Sequence, residues 1–185
     1  MHPNVKLLTS LLPPPETPCC NWGDWDLVTS EIGSELPEDF KSLTETYGVA
    51  TFCGCLWFHT PFYFAGVDAP GVEEAPSYLA MLLSRFEEMD AVAGGRECVP
   101  FPQYPESGGL LPIGATDNGD ILCWITTGEP NDWGLFFWSF PGIETYTLPQ
   151  TCITQMLLDL LSGESPLLPS ALPPERFQKE HWRVD

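Results

Sequence analysis

The residue types that most often carry chemistry are scarce in this chain or unusually spaced. There are three histidines, His2, His59 and His181. His2 and His181 lie near the chain ends, so a Ser-His-Asp or Cys-His nucleophilic site has to use His59. His59 closes an apolar run, and a lone histidine there reads as a structural residue. Seven cysteines are present, an odd number at irregular intervals. Cys53-Gly54-Cys55 matches neither a C-x-x-C redox motif nor a zinc half-site. Residues two apart in a strand share a face, so the two thiols can touch. The favoured reading is a pair of buried cysteines acting as small hydrophobes. A thiol- or metal-dependent enzyme would rest on Cys53, Cys55 and His59. Cys19-Cys20 is an adjacent pair open to oxidation, with metal binding as a second reading.

Two carboxylates can perform acid–base chemistry when burial raises one pKa. Glu38-Asp39, Glu73-Glu74, Glu87-Glu88 and Asp117 with Asp120 are such pairs. Among 26 acidic residues, adjacency is expected by chance. Asp117 and Asp120 also flank a turn, where Asp serves backbone hydrogen bonds. No dinucleotide fingerprint, P-loop or nucleophile elbow is present. The expectation is a non-enzymatic chain with no catalytic residue, no metal and no cofactor.

Charge is the dominant compositional feature. The 26 acids face seven bases, for a formal net charge of −19. Between Ser42 and Glu175 the only bases are Arg85 and Arg96. Such a field repels nucleic acid and anionic membranes and speeds encounter with basic partners. The plainer reading is that acidity maintains solubility. Trp133 lies in an acidic turn, Glu129-Pro130-Asn131-Asp132-Trp133. It is either a binding anchor or a cap on the core.

At 185 residues the chain suits one domain with short appendages. Residues 1–21 read as a mobile Pro/Leu-rich arm, 22–163 as the folded domain and 164–185 as a Pro-rich tail. The leucines of the arm are interrupted by Thr9 and Ser10 and lack a following cleavage site, so they do not read as a signal peptide. No apolar run approaches the roughly 18–20 residues that span a bilayer. The cysteine pattern points to a reducing, cytoplasmic setting. Asp24 and Gly33 bracket a helix over 25–32, and Pro37 and Gly48 another ending at Tyr47. Residues 77–93 and 150–161 carry helical apolar stripes. Residues 49–59 read as one strand. Leu110–Ala115 and 121–126 form a hairpin around Asn118-Gly119, with φ > 0 expected at both turn residues. Strand 121–126 is apolar on both faces and so central. GLFFWSF and IETYTL add further strands, joined at Pro141-Gly142. The class is α+β, a mainly antiparallel sheet flanked by helices.

Two segments together resemble the SUKH superfamily. The first is Ile32-Gly33, Leu36-Pro37-Glu38-Asp39-Phe40-Lys41, Leu43 and Tyr47-Gly48. The second is Gly108-Gly109-Leu110-Leu111-Pro112-Ile113-Gly114, Thr116 to Asp120, Cys123-Trp124 and Pro130 to Trp133. The resemblance covers roughly residues 22–162. It implies a non-enzymatic SUKH-like α+β domain, similar to immunity proteins that neutralise polymorphic or contact-dependent toxins, often nucleases or deaminases. The alternative it implies is an intracellular regulatory scaffold. A nuclease toxin presents basic surface, which gives the acidity a role. The expected docking residues are Glu73, Glu74, Glu87, Glu88, Asp90, Asp117, Glu129 and Asp132, with Trp133 as apolar anchor. The partner expected is a basic toxin domain or another protein, with no nucleic acid and no membrane.

Overall fold

The computed structural model describes residues 1–63, 77–92, 97–140, 144–168, 171–179 and 183–185. Among them are α1 (Pro3–Leu11), α2 (Trp25–Ile32), α3 (Glu38–Tyr47), α4 (Tyr78–Asp90) and α5 (Ile153–Ser162). The strands are β1 (Thr51–Phe52), β2 (Leu56–Phe58), β3 (Leu110–Thr116), β4 (Ile121–Ile125), β5 (Gly134–Ser139) and β6 (Glu144–Leu148). They form one antiparallel sheet in the order β1-β2-β3-β4-β5-β6. The chain is therefore α+β, with helices flanking an antiparallel sheet.

Both faces of the sheet are covered, as the unbroken apolar runs of its middle strands require. Leu122 and Trp124 of β4 share one core with Leu111, Leu135, Phe137 and the inward faces of α1, α3 and α5. Phe40 of α3 meets Trp124 edge-on, with ring centroids 5.0 Å apart. Ile121, Cys123 and Ile125 point the other way, joining Phe136 and Trp138 against Phe86 and Met89 of α4.

Two buried carboxylates join elements far apart in sequence. Asp39, in the first turn of α3, accepts the backbone N–H (3.0 Å) and hydroxyl (3.1 Å) of Thr154. The first N–H groups of a helix lack internal partners, so α3 supplies the cap that α5 needs. Asp120, in the β3–β4 turn, accepts from Ser139 (3.2 Å), from the Phe140 N–H (2.7 Å) and from the Thr116 hydroxyl. It thereby holds the end of β5 against the β3–β4 hairpin. The structural role expected for Asp120 is the one it has.

Several expectations change. Residues 49–59 are not one strand but a tight hairpin. Cys53 (φ 51°) and Gly54 (φ 65°) are left-handed and reverse the chain between β1 and β2. In the β3–β4 turn only Gly119 has positive φ, at 89°. Gly119 N–H bonds back to the Thr116 carbonyl at 3.0 Å, so the loop is wider than a two-residue turn. The Pro141-Gly142 turn lies outside the described residues.

The arm and tail also differ from expectation. The stretch 1–21 begins with α1, which packs on α3 and α5 and buries Val5 and Leu8. The Tyr47 hydroxyl donates to the Leu12 carbonyl at 2.7 Å. Beyond α5, Leu167, Leu172 and Phe177 are buried. Residues 183–185 pair with β1: Thr51 N–H donates to Asp185 O (2.8 Å), and Asp185 N–H returns a bond to Thr51 O (3.1 Å). An exposed edge strand invites unwanted pairing, and the chain end covers this one. Leu8→Ala is expected to lower unfolding stability by about 2–5 kcal/mol in urea denaturation, the cost of truncating a buried leucine. A loss below about 0.5 kcal/mol, typical of a surface change, would restore the mobile arm.

Candidate functional site

The thiol and imidazole groups do not assemble into one centre. Cys53 and Cys55 are buried in the β1–β2 turn. Burial pushes the Cys53 thiol up to about 11. Burial, then the nearby Asp117 charge, pushes Cys55 up to about 12. Both are protonated at neutral pH, whereas the reactive form is the thiolate. Arg176 and Arg183 close over this turn. Arg176 donates to the Gly54 carbonyl at 3.3 Å, and its other terminal nitrogen pairs with Asp117 at 3.2 Å.

His59 lies beyond the opposite end of β2. Four residues of extended chain separate it from Cys55, about 13 Å at strand rise, whereas proton transfer needs about 3 Å. The His59 N–H donates to Ile113 O (2.8 Å), and its own carbonyl accepts from the Tyr78 hydroxyl (2.6 Å). Burial first, and the Arg85 charge second, hold the imidazole down at about 4. Among the described residues, no group of three or more His, Cys, Asp or Glu is placed to hold a metal ion.

The acidic residues divide among separate places. Glu87, Glu88 and Asp90 are exposed on the last turn of α4, with Glu88 paired to Arg85. Asp117 sits at the β3–β4 turn. Glu129 and Asp132 are exposed in the β4–β5 connection, at the other end of the sheet, about 13 Å of strand away. Asp132 lines an open groove of about 610 Å³ with Ile125, Thr127, Asn131, Pro149 and Gln150. Glu73 and Glu74 lie outside the described residues.

Trp133 takes the core role of the two open to it. It is 4% exposed, tilts against Trp124 with ring centroids 5.7 Å apart, and donates its indole N–H to Gly128 O at 3.3 Å. An exposed aromatic is found instead at a place the sequence reading passed over. Trp22 is 82% exposed and Leu27 is 68% exposed, on either side of the α2 N-cap. Asp24 caps the helix by accepting from Asp26 N–H (2.9 Å) and Leu27 N–H (3.4 Å). Asp24, Asp26 and Glu31 are exposed on the same short element. The available signal is that Leu27 lies off the Val28–Ile32 stripe that faces the core.

The depressed His59 pKa has a definite sign. The folded state keeps the imidazole neutral, and the unfolded chain protonates it near 6.5. Its contribution is fully present above about pH 6.5 and is lost as pH falls through about 4. Stability of the wild type relative to His59→Gln is therefore expected to fall across pH 6.5 to 4, read by denaturant midpoints. A pH-independent difference would contradict the buried neutral imidazole.

Among the described residues, no helix is long and apolar enough to cross a membrane. No curated protein and no solved structure matches the chain. The family model described as the SMI1 / KNR4 family (SUKH-1) matches residues 22–156. That span runs from the exposed Trp22, through both layers of the core, to the first turn of α5. The chain belongs to the SMI1 / KNR4 family, SUKH-1.

Proposed function

We propose that this chain is a cytoplasmic, non-enzymatic immunity protein that neutralises a cognate toxin by binding it directly. The family membership supports a protein partner, and the net charge of −19 favours a basic one. The observation that carries the reading is that Trp22 and Leu27, on either side of the α2 N-cap, are exposed, as are Asp24, Asp26 and Glu31 on the same element. Tryptophan is enriched among residues that dominate binding energy, and these acids complement a cationic surface. Trp22 takes over the anchor role that burial denies to Trp133.

The acids of α4 add support. Glu87, Glu88 and Asp90 occupy the last turn, which has no basic residue. Negative charge at a helix C-terminus opposes the macrodipole, by about 0.3–1 kcal/mol for each exposed group. Glu88 is paired with Arg85, and the exposed carboxylates of this turn are candidates for meeting a basic partner. Glu129 and Asp132 extend the acidic surface at the far end of the sheet, and Asp117 extends it at the β3–β4 turn.

Rim charges set association rate and salt dependence, and desolvated anchors set residence time. Where a neighbouring reading frame encodes a toxin domain, co-expression with that domain is expected to restore growth. Neutralising Glu129 and Asp132 is expected to slow association and flatten its salt dependence. Trp22→Ala is expected mainly to raise the dissociation rate, by tenfold or more for an anchor costing about 1.4 kcal/mol or more. Failure to restore growth, with no complex formed, would reject toxin neutralisation and favour a regulatory scaffold. Rescue with salt-independent association would reject the electrostatic part alone.

A further inference from the structure

The Cys19–Cys20 pair is not on a loose arm. Cys19 O accepts the Val49 N–H at 2.8 Å, and the Asn21 side chain donates to Glu45 O at 3.0 Å. Both flanks of the pair are thus tied to the C-terminal end of α3. Gly48 packs so closely that a Cβ there would lie 2.1 Å from Cys19 O. Side chains of consecutive residues point apart in an extended chain. Cys20 is left-handed, with φ 55°, and this turn brings the two sulfurs to 3.4 Å. Cys19 is exposed and Cys20 is half-buried, so both are reachable.

We propose that Cys19 and Cys20 form a preorganised dithiol chelate for a trivalent, thiophilic metalloid compound of the organoarsenical class. Two soft-ion–sulfur bonds of about 2.3 Å, meeting near 100°, span about 3.5 Å. The observed separation therefore needs almost no rearrangement. A three-coordinate centre fits better than a tetrahedral metal. The two sulfurs and the organic group complete its shell, and no third protein ligand stands near among the described residues. Burial, then the Cys19 thiol beside it, pushes the Cys20 thiol up, so Cys20 must give up its proton as its bond to arsenic forms. With an arsenoxide R–As=O, two As–S bonds form and the As=O bond is lost. The two thiol protons leave with the oxygen as one water, and arsenic stays trivalent throughout.

The test uses the full chain, reduced, with phenylarsine oxide as probe and excess glutathione as monothiol competitor. Intact mass is expected to show one adduct per chain that survives glutathione and is removed by 2,3-dimercaptopropanol. Peptide mapping is expected to place it on the segment holding Cys19 and Cys20. Cys19→Ser and Cys20→Ser are each expected to lose the glutathione-resistant adduct entirely, while Cys98→Ser keeps it. The map on the unmutated chain needs no variant to fold. Absence of a resistant adduct in the wild type would overturn the proposal. So would its survival in either single variant, or its mapping to Cys53 and Cys55.

Discussion

The sheet is buried on both faces at its centre, and most of the molecule follows from that. Every residue of β3, β4 and β5 is buried. Two layers of helix are then required, because each apolar face exposed to water costs about 25 cal/mol per Å². One layer comes from α1, α3 and α5, the other from α4 with Val99 and Phe101 packed beside it. Helix α1 belongs to the first layer, although it precedes the family match. The same demand draws in Leu167, Leu172 and Phe177 after α5. Ends that look dispensable in sequence are part of the packing.

Many of the described acids help to hold the chain together. Asp39 and Asp120 are buried and supplied with hydrogen-bond donors from α5 and from the end of β5. Asp24 caps α2, and Glu31 accepts the Leu79 N–H at the start of α4. Four of the seven bases form ion pairs: Lys41 with Glu35 and Glu38, Arg85 with Glu88, Arg176 with Asp117 and Arg183 with Asp185. What remains is an α+β body whose carboxylates far outnumber its bases. Surface charge of this kind adds little to folding but acts at a distance on a charged partner.

The legible parts were those set by local rules. Helices α2 and α3 begin and end at Asp24, Gly33, Pro37 and Gly48, where capping chemistry is written in the residue types. The centrality of β4 follows from apolar residues at every position. The β1–β2 hairpin was not legible, because its turn is made by Cys53 and Gly54 without an Asn-Gly or Asp-Gly signal, and Cys53 adopts a conformation rare for a side-chain-bearing residue. The docking of 1–21 and of the chain end was hidden because the surfaces that receive them, α5 and β1, exist only after folding. The burial of Trp133 and the exposure of Trp22 were hidden for the same reason. Trp133 is flanked by acids in sequence but backed by Trp124 in space. Trp22 precedes a cap and has little behind it.

The central claim is that this domain acts through its surface, at the start of α2, by holding a basic protein partner. Hydrogen exchange on the purified chain, alone and saturated with a toxin domain that it protects against, tests it most directly, since a covered element opens less often. The account predicts slowed exchange across Trp22 to Glu31, with the buried strands β3 to β5 unchanged. Exchange over Trp22 to Glu31 that is the same in the free and the saturated chain would contradict it.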